Sequence, residues 1–217
     1  MANYIDISYF VGKIDIPNTD VPGEGGANAL ELFIKQGESD FLSKFLGVKM
    51  YLELLSNTTF ADPITGTGVW NDLIQGVEFT DSTGIDNVCE GLTGQFVYAS
   101  SGFKRSPIAN YVYWEWMRQN STQTVGIGEG VVQAENMRMV SPAPKMVRAW
   151  NEMVDWLWVL HDYLVINKAD YPYYIGLEFP PLSCPTYWNS AYPNYHVDKE
   201  NLNSNQRLFI KQNNWGI

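Results

Sequence analysis

The segment Ser106–Asn120 places the tightest constraint on the fold. Ser106 followed by Pro107 is a helix start, a hydroxyl cap ahead of a proline at the first helical position. Ile108, Tyr111, Val112, Tyr113, Trp114, Trp116 and Met117 then cover most of the helix surface, leaving Glu115, Arg118 and Gln119 as one polar stripe. A helix lying at a surface shows a narrower apolar face. This one must be covered on more than one side, by its own core or by a neighbouring subunit.

A second long helix is predicted from Ser141-Pro142 to about Asn167. Met146, Trp150, Met153, Leu157, Leu160 and Leu164 advance in steps of four and three, while Lys145, Arg148, Glu152, Asp155 and Asp162 form a solvent stripe. At 1.5 Å per residue it would be roughly 37 Å long. Glu152 and Asp155 share a face with Arg148, the arrangement of ordinary ion pairs along a helix. The packing core is expected around Tyr111, Trp114, Trp150, Met153 and Leu157.

Ahead of these helices, Ile5, Ile7, Tyr9 and Val11 alternate with Asp6 and Ser8, the period of an extended strand. A loop is expected across Pro17, Asn18 and Pro22–Gly26. From Asn28 a helical pattern runs through Leu30, Phe33, Ile34, Phe41, Leu42, Phe45 and Leu46 to a C-cap at Gly47, and Val48–Leu55 reads as a second short helix. A short amphipathic piece surrounds Trp70, Leu73 and Ile74. Residues 77–105 read as a long loop or a hairpin, with Gln95–Tyr98 as the one strand candidate. Between the two long helices, Ser121–Val140 is polar and contains Gly126, Gly128, Glu129 and Gly130. Loops of that length in a compact domain are usually functional or mobile.

From Asp170 to Ile217 the composition changes: ten aromatics and five prolines fall in this stretch, without helical period before Asn203. Tyrosine and tryptophan suit contact surfaces, and the stretch reads as an extended arm that reaches a partner through Tyr171, Tyr173, Tyr174, Trp188, Tyr192, Tyr195 and Trp215. The expected fold is mainly α: a small helical bundle with long antiparallel helices, long inter-helix loops admitting a short β-hairpin, and the C-terminal arm. Residues 1–169 form the helical domain, with 1–26 an extended N-terminal segment, and 170–217 form the arm. Deleting Asp170–Ile217 is expected to leave that domain folded.

Hydrophobic residues make up 45% of the chain, which excludes wholesale disorder. The net charge of −10 lies in residues 1–100, where 14 acids face four lysines. That balance disfavours a protein that grips nucleic acid by neutralising phosphates; it suits a solvated face or one that repels DNA. Cys89 and Cys184 read as free thiols. The start of the chain lacks a basic, then apolar, leader pattern, so a cytosol-like compartment is expected.

No catalytic, cofactor or metal constellation is expected. His161 and His196 lack companions at metal-ligand spacing, and His161 reads as an edge-of-core histidine. Gly126-Ile127-Gly128-Glu129-Gly130 follows a helix and carries Glu129, whereas phosphate loops lead from a strand into a helix N-terminus. Lys104, Arg105 and Arg138 read as ordinary surface charges.

The order of features resembles the head–tail connector (adaptor, or head-completion) proteins of tailed bacteriophages, in particular the type found in phages of Bacteroidetes hosts. The likeness rests on Phe41-Leu42-Ser43-Lys44-Phe45-Leu46-Gly47 followed by Tyr51-Leu52-Glu53-Leu54-Leu55, then Trp70-Asn71-Asp72-Leu73. It continues through Ser106-Pro107-Ile108-Ala109-Asn110-Tyr111-Val112-Tyr113-Trp114, Thr122, Thr124 and Gly126, and Lys145 with Ala149-Trp150-Asn151-Glu152-Met153. It covers about residues 1–166. What the resemblance implies is a non-enzymatic virion protein, made in the host bacterial cytoplasm, that forms a homo-oligomeric ring, often of twelve copies, under the portal protein. Such a ring extends the DNA channel and receives the next neck or tail protein, with no membrane partner. Gly126, Gly128, Glu129 and Gly130 would then lie on a channel or inter-subunit loop. The alternatives are another virion component (a tail-completion or minor capsid protein) or a glycan-binding module using Trp188 and Tyr192.

Overall fold

The computed structural model describes residues 3–16, 25–61, 63–81, 84–94, 104–120, 123–125, 128–130 and 142–174. Among them the chain is mainly helical. Its elements are α1 (Gly25–Leu46), α2 (Val48–Ser56), β1 (Thr58–Thr59), β2 (Thr65–Gly66), α3 (Val69–Gln75), β3 (Val77–Thr80), β4 (Asp86–Cys89), α4 (Pro107–Asn120), β5 (Gln123–Val125), β6 (Gly128–Gly130) and α5 (Ala143–Ile166). The strands pair as three antiparallel two-stranded ribbons, β1–β2, β3–β4 and β5–β6.

The helix that is apolar nearly all round occupies the middle. α4 packs against both α1 and α5. Phe33 meets Trp116 while Phe41 meets Tyr111, so α1 and α4 run in opposite directions. On the other flank Trp114 and Tyr111 meet Trp150, and Arg105, just before α4, reaches Glu152 and Trp156 further along α5. The C-terminal ends of α1 and α5 therefore lie at the same end of the layer as the start of α4. Gly37 lets α1 approach closely, since a Cβ there would stand 2.8 Å from Val112 Cγ2. Burial is graded: Pro107 to Tyr113 are buried, while Trp114, Trp116 and Met117 are half-buried.

Caps and turns fix the ends. Ser106 Oγ accepts from the Ile108 N–H at 3.1 Å and donates to the Leu92 carbonyl at 2.6 Å, so the cap also ties α4 to the chain that precedes it. Gly47 sits at φ +80°, a conformation glycine adopts without Cβ strain, between α1 and α2. α1 begins at Gly25, one turn earlier than the periodicity from Asn28 indicated. The caps foreseen at Ser141 and the loop across 17–24 lie outside the described residues.

The N-terminal segment is not the strand its alternation suggested. It forms two 3-10 turns, Ile7–Tyr9 and Gly12–Ile14, the first capped by Asp6, which accepts from the Ser8 N–H at 2.8 Å. The alternation does report burial as far as Tyr9, because Ile5 and Tyr9 face the core while Asp6 is exposed. No neighbouring strand is at hand to complete a ladder among the described residues. The segment is instead held by Glu38 of α1, only 5% exposed, which accepts the Tyr4 N–H at 2.7 Å and the Ile5 N–H. Tyr9 Oη then donates to the Thr93 carbonyl, and Lys13 pairs with Glu152 at 3.2 Å, so the segment bridges from α1 to α5.

Residues 77–89 resolve the choice between loop and hairpin in favour of a hairpin. Val77 pairs with Cys89 and Thr80 with Asp86. Val77, Phe79, Asn87 and Cys89 turn toward the protein, whereas Glu78, Thr80, Asp86 and Val88 are exposed. Gly76, at φ +110°, leaves no room for a side chain, as a Cβ would meet the Cys89 carbonyl oxygen at 2.5 Å. Gln95–Tyr98 lies outside the described residues. Ser121–Val140, read as a loop, contains the β5–β6 ribbon, with Thr124 paired to Glu129.

Glu38 has a measurable signature. Burial pushes its carboxyl up to about 8 from an ordinary 4.5, against the opposing pull of the Tyr4 and Ile5 N–H groups. The folded chain therefore holds this proton more tightly than the unfolded one. The stabilisation is complete below pH 4.5 and declines as pH rises toward 8. Urea titrations of wild type and Glu38→Gln at about pH 5 and about pH 8 should show the variant gaining on wild type at the higher pH, by at most about 1.4 kcal/mol per pH unit. A constant difference would show that the carboxyl does not titrate in this window.

Candidate functional site

Two surface features stand out, an acidic cleft and an apolar end of the bundle. The cleft, of about 300 Å³, lies between the hairpin and α5 and is lined by Val88, Glu90, Arg105, Glu152, Asp155, Trp156 and Val159. Arg105 forms its organising contact, with Nη2 2.8 Å from Glu152 Oε1 and the guanidinium 5.1 Å from the Trp156 ring. The pairing of Glu152 is thus with Arg105 and Lys13, which are distant in sequence, in place of the local Arg148 partnership its helical spacing suggested. Lys104 pairs with Asp6 at 3.2 Å and lies over the Tyr9 ring, so the two adjacent cations tie the start of α4 to the N-terminal segment and to α5 respectively.

Glu90, Asp155 and the exposed Glu78 and Asp86 give this side of the molecule a negative face. Asp162, further along α5, is raised to about 6, first by burial and then by the negative charge of Asp81 on the hairpin. The acids come from both halves of the chain, so the separation of charge in sequence is not a separation in space. Chemically the cleft can receive an ammonium or guanidinium group between carboxylates, with an apolar stem on Val88 and Val159. Among the described residues no serine, cysteine or histidine lines it. Among the described residues no group of three His, Cys, Asp or Glu side chains is placed to hold a metal ion, and no helix is long and apolar enough to cross a membrane.

The apolar end is where α1 and α5 finish. Val48 (64% exposed) and Leu52 (59%) stand one helical turn apart on α2, and Val165 and Ile166 are exposed at the end of α5. On the opposite side of α2, Met50 and Leu54 are fully buried. The sequence carried this signal, because α2 has apolar residues on two opposed faces and only one can meet the core.

The tyrosines assigned to the arm divide. Tyr171 is fully buried; its hydroxyl donates to the Val69 carbonyl at 2.6 Å, and its ring packs edge-on against Trp70 and Tyr163. Tyr174 is buried between Phe45 and His161, with its hydroxyl 2.9 Å from His161 Nδ1. Both belong to the same buried cluster as the helices, so two of the residues assigned to the arm pack within the helical core. Tyr173 alone of the three is exposed, with Lys49 Nζ 3.5 Å from its ring centroid. Deletion from Asp170 would therefore remove core residues. Trp188, Tyr192, Tyr195 and Trp215 lie outside the described residues, as does Gly126; Gly128, Glu129 and Gly130 form β6.

Of the expected packing residues, Tyr111, Trp150, Met153 and Leu157 are buried and Trp114 is half-buried beside Trp150. His161 sits at the core edge, its pKa lowered to about 4 by burial. Burial also pushes the Cys89 thiol up to about 12, which leaves it protonated and unreactive at neutral pH.

No family model matches the chain, and neither a curated protein nor a solved structure matches it.

The division of the tyrosines is testable by thermal melts. Tyr171→Ala should cost about 3–5 kcal/mol, as for a large buried aromatic. Tyr173→Ala should cost about 0.5 kcal/mol or less, as for a surface substitution. Equal effects would contradict the placement of the two rings.

Proposed function

We propose that the chain is a structural virion subunit of a tailed phage: a ring-forming head–tail connector that docks under the portal, extends the DNA channel and receives the next neck or tail protein. The observation that carries the reading is the apolar end of the bundle. Val165 and Ile166 are exposed at the end of α5, and Val48, Leu52 and Tyr173 are exposed in the segments that follow α1 and α5. Large apolar side chains left exposed suit contact with another macromolecule, and subunits in a ring supply such contact on every copy.

The negative face of the hairpin and α5 supports the same reading. A wall carrying Glu78, Asp86, Glu90 and Asp155 repels a phosphate backbone, which lets DNA pass without adhering. The β5–β6 ribbon with Gly128, Glu129 and Gly130 is the candidate channel or inter-subunit element, and the chain beyond Tyr174 is the candidate arm onto a neighbour or the portal. In this reading the protein acts by position and contact, without catalysis or cofactor, and resides at the head–tail interface of the virion after synthesis in the host cytoplasm.

Mass photometry and electron microscopy of the purified chain, alone and with portal, test the assignment. Rings or portal-bound assemblies are expected. Val165→Glu with Ile166→Glu should reduce them at least about tenfold in apparent affinity, since burying one unpaired charge in an interface costs more than 1.4 kcal/mol. Circular dichroism should be unchanged, because both side chains are exposed. A chain that stays monomeric and ignores portal sinks the proposal.

A further inference from the structure

The apolar row on α2 has a specific neighbour in the covalent chain. Val48 and Leu52 are the two most exposed large apolar side chains on α2, one turn apart, so their side chains make a strip about 6 Å long. The last described residues lie beside the start of α2. Tyr174 is fixed between Phe45, two residues before Gly47, and His161, and Tyr173 is laid over Lys49, the residue that follows Val48. The next residues are Ile175, Gly176, Leu177, Glu178 and Phe179, with apolar side chains at every second position. Extended at ~3.3 Å per residue, five residues cover about 16 Å, ample for a strip of this size.

We propose that Ile175, Leu177 and Phe179 dock on Val48 and Leu52 of the same chain, making α2 an intramolecular seat for the first residues of the arm. Proximity favours this occupant over a second copy. Tyr174 is already fixed against the fold, so the residues after it meet α2 at a high effective concentration and with little loop-closure entropy to lose. The docking continues an existing contact, Tyr173 on Lys49, along the same helix. It leaves Val165 and Ile166, at the end of α5, as the part of the apolar end open to partners. The inference does not depend on ring formation and would hold for a monomer.

The test uses the full chain with a photo-cross-linking benzoylphenylalanine in place of Leu52, in a mixture of isotope-labelled and unlabelled protein. Mass spectrometry should find residue 52 joined to a peptide containing 175–179, with both parts of each conjugate carrying the same label. Mixed-label conjugates would give the strip to a second copy, and conjugates to other segments, or none, would leave it without this occupant; each overturns the proposal. As a second readout, full-length Leu52→Glu should be cut by thermolysin ahead of Leu177 about fivefold faster than wild type, the change expected for loss of ~1 kcal/mol of local protection. Equal cutting rates would also overturn it. Failure of ring formation would be read by mass photometry and would leave both measurements untouched.

Discussion

The contact of α4 with helices on both flanks is the constraint from which the remaining packing follows. Gly37 permits α1 to approach to the Val112 methyl, and the Trp114–Trp150 contact closes the other side. With both flanks taken, the N-terminal segment can only bridge across the layer, and it does so from Glu38 on α1 to Glu152 on α5. The backbone of Leu92 and Thr93 bonds to Leu73 and Ile74, and Ser106 caps α4 on Leu92.

Glu38 shows how a polar group can be placed inside such a layer. Its position follows the helical steps that bury Ile34 and Phe41, so sequence spacing puts it on the core face. A carboxylate there would be costly alone. Two backbone N–H groups from a segment without ladder partners meet it, and each solves the other's hydrogen-bonding problem. This is also why the alternation of Ile5 to Val11 misleads: the burial pattern is that of a strand, but the N–H groups of Tyr4 and Ile5 are answered by a side chain.

The helices were legible because each carries its own period and punctuation. Ser106-Pro107, Gly47 and the steps of three and four along α5 are local signals, and burial follows them closely. The hairpin at Val77–Cys89 was less so, since its inward residues include Asn87 and its outward ones Val88, which blurs the alternation. The surface features depend on pairings distant in sequence. Arg105 with Glu152, Lys13 with Glu152 and Asp81 beside Asp162 cannot be read from spacing. Nor could composition separate Tyr171 and Tyr174 from Tyr173, because an aromatic residue can serve a core or a contact surface equally well.

Tyr171 and Tyr174 give the C-terminal segment a mechanical character. Tyr171 is bonded to the α3 backbone, while Tyr174 is wedged between the end of α1 and α5. A pull on the chain beyond residue 174 would load three helices at once through buried rings. Load of that kind is shared in parallel across the packed layer, so the segment behaves as a rivet set into the base of the helices.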